Sequence, residues 1–274
     1  MTGFDLGPAL LFCPADRPDR FEKASERADA VILDLEDAVL PQDKSAARDA
    51  IARHPLDPDR TIVRVNPAST GELTADLEML AATDYRWVML PKAESIDDVA
   101  ALGGGFRVIA LCETAAGVLA APELARLDTV DALMWGAEDL VASLGGTSSR
   151  RADGPYRDVA RQARATVLLA AGAAGKAAID TVHLDIADLD GLRNEVTDAV
   201  ASGFRATACI HPGQVETIRD GFQPSQAQID DATALLEAAE RTSGVFVFHG
   251  RMVDEPALRH ARATLRLAAK NASF

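Results

Sequence analysis

Short apolar runs rich in β-branched residues alternate with amphipathic stretches along most of the chain. In the amphipathic stretches, for example Lys44–Arg53 and Glu72–Ala81, apolar residues recur three and four positions apart. That spacing is typical of helices with one buried face. Each apolar run is long enough for one buried strand. There are eight such runs, at residues 9–13, 30–35, 61–65, 87–90, 106–112, 132–135, 178–184 and 206–210.

The regular order of strand and helix decides the fold class. Further helical patterns cover residues 17–27 and 156–174, so most runs are followed by a helix without a long interruption. Eight such units predict an α/β protein with a parallel (β/α)8 barrel, the TIM-barrel architecture. An open, doubly wound sheet is the alternative.

The chain continues beyond the eighth run. A helix is predicted at residues 225–242, a short apolar run at 245–248 and a last helix from about Glu255. We therefore expect a barrel over residues 1–222 and a C-terminal helical extension over residues 223–274, which packs on the barrel or on a neighbouring subunit. The loop-like segment 145–154 follows the sixth run, where it could cover a substrate or be an ordinary surface connection.

Composition excludes several classes of protein. Forty-two acidic residues against 28 Lys and Arg give a net charge of −14, which argues against a nucleic-acid surface. No stretch approaches the ~20 apolar residues of a membrane span, and the first seven residues lack a signal-peptide pattern, so the expected location is the cytoplasm. Cys13, Cys112 and Cys209 each lie in an apolar run and predict buried, reduced thiols. Arg17, with Arg20 and Lys23, could bind a small anion or form a solvated helix face.

Acidic residues at the ends of the predicted strands indicate a metal site. The carboxyl ends of barrel strands converge on one face, and active sites are built there. Glu113 and Asp139 follow the neighbouring fifth and sixth runs, and we predict that both bind Mg²⁺, which prefers hard oxygen ligands. Glu36 and Asp37 follow the second run, where they could hold metal-bound waters or cap the next helix.

Two basic residues lie at the same predicted face. Arg64 ends the third run and could hold a substrate carboxylate or a developing enolate, or form a salt bridge to Glu36 or Asp37. Lys92 follows the fourth run and is predicted to pair with the acids, since a lysine among carboxylates stays charged and is a poor nucleophile.

The remaining candidates carry weaker signals. We expect substrate contacts at the end of the sixth run, from Gly136, Ala137 and Glu138. His211 precedes a proline and could donate a hydrogen bond near the site or lie on the surface. Asp254, before Glu255 and a proline, is typical of a helix N-cap.

Taken together, these strand ends resemble the citrate lyase beta-subunit-like branch of the HpcH/HpaI aldolase superfamily, in its stand-alone actinobacterial form. The set in this order is specific, although any one string is weak. Ala15 and Asp16 depart from the Gly and Asn or Ser of many relatives, which affects the expected phosphate contacts. The matching strings, from near residue 10 to near residue 256, are LFCPADRPDRFEKA, VILDLEDAV followed by Lys44 and Arg48, VRVN, VMLPKAE, ETAAG, WGAEDL, CIHPGQV and GRMVDEP.

The resemblance implies a role for each of several residues. It implies Mg²⁺ ligands at Glu113 and Asp139, and a contact from Arg64 to the substrate carboxylate and enolate oxygen. Arg17 lies where relatives contact the nucleotide part of CoA. Asp254 matches an acid that related malyl-CoA lyases insert into a neighbouring subunit's site. Members of the family usually form trimers or hexamers.

The implied activity is a reversible Claisen-type reaction on an acyl-CoA. Citramalyl-CoA, malyl-CoA and 3-hydroxy-3-methylglutaryl-CoA all fit, with acetyl-CoA and a keto acid as the products of cleavage. The alternatives are a metal-dependent aldolase on free hydroxy-keto acids, a citrate lyase beta subunit that acts on an acyl-carrier protein, and a non-catalytic scaffold. The scaffold is disfavoured because acids, Arg64 and Lys92 share one predicted barrel face.

Overall fold

Eight parallel strands pair in chain order, and the first pairs with the last. The computed structural model describes residues 4–242 and 244–271. Residues 1–3, which belong to the predicted barrel range 1–222 and to the first seven residues discussed above, lie outside the described residues. So do residues 243 and 272–274 of the predicted extension 223–274. The predicted barrel is confirmed, and the open sheet is wrong. The strands are β1 (Ala9–Pro14), β2 (Ala30–Asp34), β3 (Thr61–Arg64), β4 (Trp87–Leu90), β5 (Arg107–Cys112), β6 (Val130–Trp135), β7 (Ala177–Asp180) and β8 (Ala206–Cys209).

Helices follow the strands, with starts that local chemistry shifts from the predicted ones. The helix predicted from residue 17 begins at Phe21, because Pro18–Arg20 form a tight 3₁₀ turn first. The helix predicted from Tyr156 begins two residues later, because Tyr156 pairs with Arg150 in a short β-bridge. The helices of this part of the chain are α1 (Phe21–Arg27), α2 (Lys44–Arg53), α3 (Glu72–Ala81), α4 (Ile96–Ala100), α5 (Ala115–Leu124), α6 (Ala137–Ser143), α7 (Asp158–Ala173), α8 (Leu189–Ser202) and α9 (Val215–Phe222).

Alternate residues of the strands fill the barrel interior. Leu10, Ile32, Ile62, Met89 and Ile109 belong to one buried cluster that runs around the barrel. Burying each such side chain contributes roughly 1.5–3 kcal/mol, so this cluster is a main source of stability. The closed core fixes where each strand ends, and therefore where the polar residues beyond it lie.

The chain divides between Ile218 and Arg219 into two compact units. In the second unit, α10 (Gln226–Glu240) and α11 (Glu255–Asn271) pack with a hairpin of β9 (Phe246–Phe248) and β10 (Arg251–Val253). The apolar run at 245–248 is thus one arm of a hairpin whose second strand the sequence pattern did not reveal. The boundary after residue 222 and the packing of the extension remain predictions.

The structure bears on two expectations from composition, which concern membrane-spanning helices and the state of the cysteines. None of the helices within 4–242 and 244–271 is long and apolar enough to span a bilayer. The three cysteine side chains are buried, and burial raises the pKa of Cys13 to about 11 and that of Cys112 to about 12. These two thiols therefore stay protonated at neutral pH and are poor nucleophiles.

Candidate active site

A cavity of about 390 Å³ opens at the carboxyl ends of the barrel strands. Seven of the residues that the sequence singled out line it: Asp37, Arg64, Glu113, Gly136, Ala137, Glu138 and Asp139. The other lining residues are Phe12, Pro14, Asp34, Ala38, Leu111, Met134, Thr181, Val182, Leu184 and Ile210. The structure therefore brings the candidate metal ligands and Arg64 together in one cavity.

Glu113 directly follows β5 and is held in place by two backbone features. The Lys92 backbone N–H donates to Glu113 Oε1 at 3.1 Å, from a left-handed backbone with φ of 49°. On the other side, a Cβ atom at Gly136 would lie 2.7 Å from Glu113 Cβ and 3.0 Å from its Oε2. Because such contacts are too close, only glycine at position 136 leaves room for this carboxylate.

The electrostatics of Glu113 point to a cation. Burial, with the negative charges of Asp139 and Glu36 as further causes, raises the pKa of Glu113 to about 8, against the opposing effect of Arg64 and Lys92. A carboxylate in such surroundings stays ionised only when positive charge is brought to it.

The donor set fits Mg²⁺ with few protein ligands. Glu113 is 2 % exposed, whereas Asp139, in the first turn of α6, is half-buried. Among residues 4–242 and 244–271, no group of three or more His, Cys, Asp or Glu side chains is arranged to hold a metal ion. Two carboxylates are nevertheless enough for Mg²⁺, which keeps several waters and is completed by substrate oxygens.

Arg64 makes a partnership that sequence reasoning missed. Its Nε and Nη2 donate to Asp34 Oδ1 and Oδ2 at 2.7 and 2.6 Å, a bidentate pair across the β2–β3 ladder, where these residues are in register. Its Nη1 lies 2.9 Å from Glu36 Oε2, an ion pair without hydrogen-bond alignment. The guanidinium also lies over the ring of Phe12, 4.9 Å from its centroid. These contacts fix the guanidinium at the cavity wall.

Glu36 and Lys92 form a charged layer next to Arg64 and Glu113. The ammonium of Lys92 hydrogen-bonds Glu36 Oε1 and lies 3.8 Å from Asp37 Oδ1. Each Glu36 oxygen thus faces a cation: Oε1 faces the Lys92 ammonium and Oε2 faces the Arg64 guanidinium. The Asp37 side chain, in contrast, is 56 % exposed. Burial, the largest cause, raises the pKa of Glu36, although the two cations oppose it.

Glu138 connects the cavity to the loop at 145–154. The Ser149 hydroxyl, itself buried, donates to Glu138 Oε1 at 2.5 Å. The loop whose role the sequence left open is therefore tied to a residue that lines the cavity.

Besides Glu36 and Lys92, three candidates lie outside the cavity lining. The Arg17 guanidinium donates to the Asp19 carboxylate at 3.1 and 3.2 Å, and the Arg17 side chain is 46 % exposed. The His211 ring accepts from the Gly213 N–H and caps a turn. Asp254 belongs to the second unit, where its Oδ1 accepts from the Ala257 N–H at the start of α11, the contact expected of an N-cap.

The apolar lining was also missed. Val182 and Leu184 come from the run that predicted a strand to residue 184, but β7 ends at Asp180 and these side chains line the cavity instead. The period-two alternation beyond Asp180 was the signal for a cavity wall.

Comparison with known proteins decides the family. The model of the HpcH/HpaI aldolase/citrate lyase family matches residues 9–212. The chain belongs to this family. A relative described as a citrate lyase subunit beta-like protein, from Mycobacterium tuberculosis, is 54% identical over 97% of both chains. Human mitochondrial citramalyl-CoA lyase is 31% identical over 95% of this chain and 85% of its own length.

A solved structure extends the family relationship to the fold. The protein CitE from M. tuberculosis, in complex with magnesium, acetoacetate and coenzyme A, superposes with a TM-score of 0.93 at 54% identity. The match covers 96% of this chain and 98% of that one. The HpcH/HpaI resemblance of the strand-end strings is thereby confirmed, and the chain is a lyase of this family.

Proposed function

We propose that this chain is a Mg²⁺-dependent carbon–carbon lyase. It cleaves a 3-hydroxyacyl-CoA to acetyl-CoA and a keto acid, and catalyses the reverse condensation. Citramalyl-CoA, malyl-CoA and 3-hydroxy-3-methylglutaryl-CoA are the candidate substrates. The observation that carries the proposal is the shared cavity of Glu113, Asp139 and Arg64, in a chain 54% identical to a protein solved with magnesium, acetoacetate and coenzyme A.

The residues of the cavity divide the work. Glu113 and Asp139 would hold Mg²⁺, which when bound polarises the carbonyl of the keto acid. Arg64 is already oriented by Asp34, and its Nη1, which faces Glu36 without a hydrogen bond, would donate to a substrate carboxylate and to the enolate oxygen. Lys92 and Glu36 keep Arg64 and Glu113 in position. Gly136, Ala137 and Glu138 contact the substrate.

Two proposed roles lie away from the cavity lining. Arg17 contacts the nucleotide part of CoA. To do so it must break its exposed salt bridge to Asp19. Asp254 of a neighbouring subunit removes the proton from the α-carbon of the thioester in the synthetic direction and returns it in cleavage. This role requires an oligomer, and we propose a trimer or hexamer that acts in the cytoplasm.

The test is turnover by the purified chain alone. We expect acetyl-CoA release from at least one of the three acyl-CoAs with Mg²⁺, and none after chelation by EDTA. Cleavage of free hydroxy-keto acids at comparable rates, unaffected by Arg17→Ala, would instead identify an aldolase. Turnover that appears only with an acyl-carrier protein would identify a citrate lyase subunit. Magnesium binding without turnover of any substrate would refute the proposal.

A further inference from the structure

The segment just beyond β7 forms one wall of the candidate site. Thr181, Val182 and Leu184 line the cavity, and Ile210, just beyond the adjacent β8, continues the same wall. In the closed barrel β7 lies four strands from β3, so this wall faces Arg64 across the mouth. Leu184 is 52% exposed and Ile210 37%, which leaves apolar surface open to a bound molecule.

His183 points away from the site and is clamped on the other side of this segment. It lines a second cavity of about 700 Å³, whose walls include residues of α7 and α8, and it is 6% exposed. Its Nδ1 lies 2.9 Å from Glu195 Oε2 of α8, and its Nε2 lies 3.4 Å from Asp188 Oδ2 at the N-cap of that helix. The side chain therefore anchors the segment to α8.

A second pair of contacts extends this anchor to the loop after α6. Arg150 Nη1 donates to Glu195 Oε1 at 2.5 Å, and Arg150 Nη2 donates to the Tyr156 hydroxyl at 2.7 Å. The loop that carries Ser149, the partner of Glu138, is thereby connected to His183 through one carboxylate.

Gln214 joins the two halves of the apolar wall. It is fully buried, and its Nε2 donates to the His183 carbonyl at 2.8 Å. Its Oε1 accepts from the backbone N–H groups of Ile210 and His211, both at 3.2 Å. One amide side chain thus fixes the segments beyond β7 and β8 relative to each other.

We propose that His183 and Gln214 are positioning residues that hold Val182, Leu184 and Ile210 as a wall that selects the substituent on the 3-hydroxy carbon of the substrate. The inference rests on the proposed function. A methyl group packed against apolar surface changes kcat/KM by roughly 10- to 200-fold. A wall held in place therefore favours citramalyl-CoA, which carries a methyl group, over malyl-CoA, which carries hydrogen.

The experiment compares kcat/KM for these two substrates in Gln214→Glu and His183→Asn. Gln214→Glu keeps the acceptor for Ile210 and His211 but loses the donor to the His183 carbonyl. We expect the citramalyl-to-malyl ratio to fall about tenfold in both variants, as in Val182→Ala, with Mg²⁺ affinity unchanged. Gln214→Glu combined with Val182→Ala should change the ratio no further than either alone, because both act on the same wall.

The matched control is Gln162→Glu, on the exposed face of α7, which should leave the ratio unchanged. A purely structural role for Gln214 would lower the turnover of both substrates equally, so an unchanged ratio in Gln214→Glu and His183→Asn overturns the inference. If wild type turns over neither substrate, the ratio cannot be measured, and the proposed function fails separately only when 3-hydroxy-3-methylglutaryl-CoA is not cleaved either. In that case amide hydrogen exchange at residues 181–184 tests the positioning role of Gln214. The role is refuted when exchange there is no faster in Gln214→Glu than in wild type.

Discussion

The two sides of the barrel mouth are built in different ways. On the side of β2 to β6, charged residues at or just beyond strand ends hold one another, as Asp34 and Glu36 hold Arg64 and as the Lys92 backbone holds Glu113. On the side of β7 and β8, apolar residues past the strand ends are held by side chains that lie behind them, such as Gln214. The charged side is suited to binding common features of substrates, and the apolar side to distinguishing among them.

The largest effect should come from the candidate metal ligands. Glu113→Gln and Asp139→Asn should each lower kcat/KM on the order of 10³-fold, because a metal ion that polarises a carbonyl is worth several kcal/mol in the transition state. Calorimetry should show weakened Mg²⁺ binding in parallel. Glu123→Gln, an exposed acid on α5, is the control. Wild-type Mg²⁺ affinity in both site variants would show that Glu113 and Asp139 do not bind the metal ion.

The next largest effect concerns the buried pair that orients Arg64. Asp34→Asn should lower the free energy of unfolding by about 3–5 kcal/mol, because it leaves a buried guanidinium short of its carboxylate. Denaturant titration measures this change. Asp37→Asn, at a side chain that is 56 % exposed, should cost less than about 0.5 kcal/mol. Equal effects of the two substitutions would contradict the assignment of Asp34 as the partner that matters.

A smaller effect is expected at Gly136. In Gly136→Ala the new methyl group would contact Glu113, so that the carboxylate must move and Mg²⁺ affinity should fall about 10- to 100-fold, as for other changes that disturb ligand orientation. Gly104→Ala is the control, because a Cβ there meets nothing within 4 Å. Affinity in Gly136→Ala equal to that of Gly104→Ala would show that Glu113 is not confined.

The smallest expected effect, counted per pH unit, is the dependence of Mg²⁺ affinity and of stability on pH. With the pKa of Glu113 near 8, protons compete with Mg²⁺, so affinity should rise up to about tenfold per pH unit and level off above about pH 8. Without metal, the folded state binds the proton more tightly than the unfolded state, whose pKa is near 4.5, so stability should fall as pH rises between these values. Calorimetry and thermal unfolding across this range test both trends, which Glu113→Gln should abolish.

The sequence predicted the fold well because strand pattern and barrel topology are strongly coupled. Eight runs separated by helical patterns leave few ways to bury every apolar face, and each run overlaps a strand. Helix starts at Phe21 and Asp158 differed from the predictions because a 3₁₀ turn and a β-bridge are local choices that periodicity does not contain.

The candidate site was predicted in part. Glu113, Asp139, Gly136 and Arg64 could be placed together because barrel strands all end at one face. The partner of Arg64 could not be predicted, since three acids (Asp34, Glu36 and Asp37) lie within four residues at the end of the second run and only the β2–β3 register selects Asp34. Likewise, the alternation in the run at 178–184 indicates a wall of side chains but does not show that the hydrogen-bonded strand ends at Asp180.

The conformation of Lys92 has a consequence for engineering thermostable variants. An L-residue in the left-handed region costs roughly 1–2 kcal/mol, so replacement by glycine at this position is an obvious stabilising choice. Glycine would preserve the backbone donor to Glu113 but would delete the ammonium group beside Glu36 and so leave a buried acid less compensated. At position 92, relief of backbone strain thus favours glycine, whereas the charge balance of the site requires lysine.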